Sequence, residues 1–265
     1  MTPRSPRGLM AKERADEARA VLLKLGRSGG EVDAEIADIR ESLDLQRHQA
    51  NEPLFSAAYR GPILLAVAIA MFNQLSGINA LMYYAPHIFS MAGAGEGSAL
   101  LQTVAVGGTN LIFTMAALLI IDHFGRKRLM LVGSVGYILS LSATAWAFYT
   151  YGTDFDKTGG IIVLISLLVF IASHAFGQGA VIWVYIGEVF PNRVRARGQA
   201  LGSFTHWIMA AAISWTFPMI AEYSGGHTFA FYAAMMVLQL LWVIFIMPET
   251  KGISLEALQK KMGIE

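Results

Sequence analysis

Residues 160–187 read GIIVLISLLVFIASHAFGQGAVIWVYIG, from Gly160 to Gly187, without one Asp, Glu, Lys or Arg. A bilayer core about 30 Å thick needs roughly 20 apolar helical residues, and this stretch exceeds that length. Five comparable runs surround it, at about 61–91, 99–121, 129–150, 199–221 and 228–247. A soluble core in a chain of 265 residues has no room to bury six such stretches. The pattern predicts an all-α membrane protein with six spans.

Composition agrees. Hydrophobic residues make up 55% of the chain and charged residues 15%, against about 45–50% and about 25% in ordinary soluble domains. Cysteine is absent, which removes disulfides, thiolate nucleophiles and Cys-based metal sites. The net charge of +1 gives no global field for nucleic acid. The charged N-terminus predicts no cleavable signal peptide.

Charge distribution sets the expected orientation. Residues 1–60 hold ten of the twenty Lys/Arg. With that segment in the cytoplasm, the inside loops carry Arg126, Lys127 and Arg128, then Arg193, Arg195 and Arg197, and the tail carries Lys251, Lys260 and Lys261. Only Lys157 falls outside, so 19 of 20 basic residues lie on one face, as the positive-inside rule requires. Both termini are expected in the cytoplasm, and the protein in the plasma (inner) membrane. The expected organisation is a cytoplasmic helical segment at 1–58, a six-span bundle at 59–248 and a cytoplasmic tail at 249–265. In the first segment Ala15, Ala18, Val21, Leu22 and Leu25 fall at helical spacing, as do Val32, Ile36, Ile39 and Leu43. Gly26 to Gly30 separates these two short amphipathic helices.

Polar residues inside spans are costly unless they face protein or water. The first span reads Met71-Phe-Asn-Gln-Leu-Ser-Gly-Ile-Asn-Ala-Leu-Met-Tyr-Tyr84 and carries Asn73, Gln74 and Asn79. On an ideal helix Asn79 lies about 140° round from Gln74, and unwinding at Ser76 and Gly77 would bring the amides toward one cavity. Uncharged amides offer donors and acceptors together, which suits a polyhydroxyl ligand; interhelical hydrogen bonding is the competing role. The fourth span repeats the theme in Gly177-Gln-Gly-Ala-Val-Ile-Trp183, where two glycines loosen the helix and Trp183 offers a flat face. Interrupted helices at corresponding positions of two three-helix units point to a transporter binding site. Asn110, His206 and Trp207 are candidates to line the same cavity. Enzymatic readings find no H-E-x-x-H, no Walker A loop and no intramembrane G-x-G-D, and no cofactor or metal site is expected.

Several of these segments resemble one known family. Asn73-Gln-Leu-Ser-Gly-Ile-Asn79 with Tyr83-Tyr84 resembles the seventh-helix signature of the sugar porter family of the major facilitator superfamily. Asp122-His-Phe-Gly-Arg-Lys-Arg128 is similar to its D-x-x-G-R-[KR]-[KR] cytoplasmic loop. Trp183 through Glu188 and Phe190, with Pro191 and Arg195, resembles its tenth-helix motif, and Pro248-Glu-Thr-Lys-Gly252 its C-terminal signature. Pro3-Arg-Ser-Pro-Arg7 resembles the P-E-S-P-R stretch after its sixth helix. Departures are Arg4 for the usual glutamate, Gly8 for tryptophan, Ala180-Val-Ile182 where prolines are usual, and His206 where many members have Asn.

The resemblance implies the second half of a twelve-helix fold together with the central cytoplasmic helices. It implies sugar transport (hexose or pentose) by alternating access, with Gln74, Asn79, Asn110 and Trp183 contacting the sugar, and Asn73, His206 and Trp207 as further members. It also implies a cytoplasmic charge network of Asp122, Arg126, Arg128, Glu188, Arg195 and Glu249, in which Glu188 pairs with Arg126 or a neighbour. A six-span N-terminal half, or another copy of the chain, is the expected partner beside the lipid bilayer. A sugar-binding sensor and an inactive transporter fragment are the alternatives.

Overall fold

The computed structural model describes residues 6–10, 12, 14–24, 29–49, 52–152, 154–253 and 255–264. Pro3 to Ser5, and Leu25 to Ser28 of the break between the amphipathic helices, lie outside the described residues. So do the side chains of Leu43 and Asp122. All regular structure among the described residues is helical: α1 (Pro6–Met10), α2 (Ala15–Lys24), α3 (Gly29–Gln49), α4 (Arg60–Leu75), α5 (Ile78–Met91), α6 (Glu96–Phe124), α7 (Arg126–Tyr151), α8 (Lys157–His174), α9 (Ala180–Val189), α10 (Arg195–Tyr223), α11 (Gly225–Phe245) and α12 (Leu255–Lys261).

The chain forms two compact units, residues 1–54 with 192–194, and residues 55–191 with 195–265. In the first, Leu9, Met10 and Ala18 form a small core with Ala15, Val21, Ile36 and Ile39 packed on it. Arg19 pairs with Asp33 at 2.9 Å and Arg193 with Glu52 at 3.3 Å.

The second unit is the membrane bundle. Five stretches are long and apolar enough to cross a bilayer: Ala57–Met91, Glu96–Ile121, Arg126–Tyr151, Lys157–Val189 and Gly225–Phe245. The remaining long helix, α10, has 29 residues and so spans about 43 Å. Its apolar character is diluted by His206, Ser214, Thr216 and Pro218. The sequence-based tail behaves differently from a free appendage. Thr250, Leu258 and Ile264 are buried, and α12 packs on α9.

Two spans are broken where the sequence placed glycines. Between α4 and α5, Gly77 takes φ +84°, a left-handed conformation open to glycine at little steric cost. A Cβ there would also lie 2.7 Å from the Tyr232 ring. Ser76 consolidates the break, its Oγ donating to the Asn73 carbonyl at 2.6 Å and accepting from Ile78 N at 3.3 Å. Between α8 and α9 the chain widens into a π-turn over Ala175–Gly179, a form that recurs at functional sites. Gly177 has a second task there. A Cβ on Gly177 would come within 3.0 Å of Gly133 Cα, so the missing side chains let α7 approach the π-turn closely.

Candidate functional site

The break at Gly77 ends α4 one turn after its paired amides, and both amides are buried there. Gln74 Nε2 donates to Asn73 Oδ1 at 3.1 Å and lies 3.2 Å from each ring nitrogen of His206 on α10. Trp183 of α9 packs against the imidazole, ring centroids 5.0 Å apart, and Trp207 meets it edge-on at 5.1 Å. Asn73, Gln74, Trp183, His206 and Trp207 therefore come together from three helices. Among the described residues of the bundle, four side-chain atoms are buried without a partner: Gln74 Oε1, Asn79 Nδ2, Tyr185 Oη and Ser214 Oγ. Such atoms are rare in folded chains and call for an explanation.

Asn79 sits just past the break, in the first turn of α5. Farther along the same pair of helices, Tyr84 Oη donates to the Ser214 carbonyl at 3.1 Å and ties α5 to α10. Asn110 is half-buried on α6, where it accepts from Thr114 Oγ1 at 3.4 Å.

A second polar group lies behind Trp183 and was not singled out from sequence. Gln178, fully buried in the π-turn, donates to Gln239 of α11, whose Nε2 donates to Ser134 Oγ of α7 at 2.8 Å. Tyr137 Oη lies 2.5 Å from His174 Nδ1 and donates to Gln178 Oε1 at 3.2 Å. These contacts tie the π-turn to α7 and α11. The available signal was Gln239, the lone amide in the run 228–247.

At the other end of α9 the charged residues assemble. Arg126 Nε and Nη2 donate to the two carboxylate oxygens of Glu188 at 3.1 and 2.8 Å, the bidentate geometry that makes arginine–carboxylate pairs strong. Thr250 Oγ1 adds a third bond to Glu188 at 2.6 Å. Glu249 accepts from the backbone N–H groups of Arg126 and Lys127 at 2.9 and 3.1 Å. It thereby neutralises the start of α7, where a helix presents unpaired donors and the positive end of its dipole. Gly125, at φ +89°, leaves room for that carboxylate, which a Cβ would meet at 2.6 Å. Two expected members differ. Arg195 Nε donates to the Phe190 carbonyl at 3.2 Å, and Arg128, two residues on in the first turn of α7, is exposed. A cleft of about 200 Å³ opens beside the pair, lined by Gly187, Glu188, Arg195, Thr250, Ile253 and Leu258.

Comparison with known proteins agrees with this architecture. A family profile described as "Sugar (and other) transporter" matches residues 1–262. The D-xylose-proton symporter of Escherichia coli (strain K12) is 36% identical over 264 residues, covering 97% of this chain and 52% of the symporter. The arabinose-proton symporter of Bacillus subtilis (strain 168) is 34% identical over 263 residues, covering 98% and 55%. Among solved structures, the inward-open conformation of the xylose transporter XylE from E. coli superimposes with a TM-score of 0.72 at 33% identity, covering 98% of this chain and 52% of that one. The chain spans about half the length of the curated relatives it matches.

Proposed function

The chain belongs to the sugar porter family of the major facilitator superfamily, and from that premise we propose that it supplies the C-terminal half of a transporter moving a hexose or pentose by alternating access. The observation that carries this reading is the buried amide cluster at the Gly77 break, with an unpartnered acceptor on Gln74 and an unpartnered donor on Asn79. A polyhydroxyl ring offers both complements at once. Trp183 and Trp207 supply aromatic faces beside the amides, and Asn110 extends the polar surface on α6.

Half a cavity cannot alternate access. The partner we infer is a second six-span unit, seated on the exposed apolar rows of α6 and α10 that include Leu101, Val104 and Leu119, and Trp215 and Met219. The charge group around Glu188 and Glu249 serves as the cytoplasmic latch between states, with the site above it. The relatives include proton symporters; in this chain the mid-span positions carry no carboxylate, and the sugar-side chemistry is that of amides and aromatics.

Uptake of labelled D-xylose and D-glucose into proteoliposomes tests the reading. The chain alone is expected to give none, and co-expression with the N-terminal half of the E. coli xylose symporter to restore it. Uptake by the chain alone would overturn the half-transporter reading. The inferred orientation predicts that single cysteines at Gly95, Lys157 and Ser224 label from outside intact cells, whereas Asp38 and Gln259 label only after permeabilisation. Outside labelling at Gln259 would contradict it.

A further inference from the structure

Where α4 begins, Gly61, Leu64, Leu65 and Ala68 fall at i, i+3, i+4 and i+7, one continuous helical stripe. The stripe meets Trp242 and Ile246, one turn apart on α11, and a groove of about 520 Å³ stays open between the two helices. Leu65 and Trp242 are buried at its floor, whereas Leu64 and Ile246 stand at its rims, 68% and 61% exposed. Pro248 and Met262 of the folded-back tail complete the lining. Gly61 keeps one end open. A Cβ there would meet nothing within 4 Å, and its backbone is not among the left-handed glycines. Neither close packing nor a turn asks for glycine at this position, where it weakens the helix.

The dimensions and the charge of this groove select its occupant. Its row on α4 rises about 10 Å, a third of a bilayer core about 30 Å thick. That is too short to seat a spanning helix, which needs a face along the whole core, and long enough for part of one acyl chain. One end is basic: Arg60 adjoins Gly61, and Lys260 stands two residues before Met262, both exposed. The carboxylate beside Pro248, that of Glu249, is taken by the backbone N–H groups of Arg126 and Lys127. Basic pockets between spans recognise anionic head groups. We propose that the groove binds an anionic glycerophospholipid, one acyl chain lying between α4 and α11 and the phosphate at Arg60 and Lys260. The proposal rests on the bundle being in a membrane and is independent of the sugar reading.

Trp242, at the floor, reports occupancy. The test is tryptophan fluorescence of the full chain in phosphatidylcholine nanodiscs carrying a minor fraction of acyl-brominated phosphatidylglycerol or acyl-brominated phosphatidylcholine. The Trp242 component is the difference between wild type and Trp242→Phe. Trp146, Trp183, Trp207 and Trp215 are exposed and serve as the reference for general lipid contact. The brominated anionic lipid is expected to quench Trp242 at an about fivefold lower mole fraction than the zwitterionic one. Arg60→Gln with Lys260→Gln should remove that preference. Gly61→Leu fills the open end without a clash and should protect Trp242 from both lipids while the other four tryptophans stay quenched. If Trp242→Phe does not fold, the difference between wild type and Gly61→Leu supplies the same component. Equal quenching of wild-type Trp242 by the two lipids would mean general lipid contact only and would overturn the proposal. So would undiminished quenching in Gly61→Leu.

Discussion

Replacing Arg126 with alanine is expected to destabilise the bundle by about 2–3 kcal/mol, read as a fall of roughly 5 °C or more in the melting midpoint of the purified chain. The guanidinium is nearly inaccessible, with 10% of its side chain exposed, whereas Glu188 keeps 32%. Removing the arginine strands a carboxylate that retains Thr250 and some water, so the loss stays below the 3–5 kcal/mol typical of a fully buried pair. Arg128→Ala removes an equal charge two residues away from an exposed position and should change the midpoint by about 1 °C or less, since exposed charges contribute little. Equal effects of the two substitutions would show that the arginines act only as anchors to lipid headgroups.

The second large effect concerns the sugar. Gln74→Ala removes the acceptor proposed for one hydroxyl and leaves that hydroxyl unpaired in a buried site. An unpaired polar group costs about 1–3 kcal/mol, and each 1.4 kcal/mol is a factor of ten, so hexose affinity should fall roughly ten- to hundredfold. Ser142→Ala, on an exposed position of α7, should leave affinity unchanged. Equal losses at Gln74 and Ser142 would remove the reason for placing the site at the helix break.

Much of this architecture was legible because its signals are local. Six apolar runs can be counted along the chain, and Gly77 and Gly177 mark both helix interruptions in the sequence itself. The pairing of Glu188 was legible only in part: a carboxylate near a membrane face needs a cation, but the sequence offers Arg126 and several neighbours on that face, and the fold brings Arg126 to it. What stayed hidden depends on partners distant in sequence. Glu249 serves the backbone of Arg126, 123 residues away, and nothing in Pro248-Glu-Thr-Lys-Gly252 says that its carboxylate seeks N–H groups rather than arginines. Gln178 and Gln239 are 61 residues apart, and each alone looks like any buried amide. Arg195 was expected at the carboxylates. Its guanidinium Nε is bound to the Phe190 carbonyl instead, while Thr250 from the folded-back tail takes a place on Glu188. The low hydropathy of α10 has a local cause in its polar residues, but sequence alone does not say which of them face protein.

The most direct test of the central claim, that the amide cluster at the Gly77 break is a monosaccharide site, is equilibrium binding of labelled D-glucose and D-xylose to the full chain in nanodiscs. Saturable binding approaching one sugar per chain, competed by unlabelled hexose and lost in Gln74→Ala, is the predicted result. Binding that does not saturate, or saturable binding that Gln74→Ala leaves intact, would contradict it.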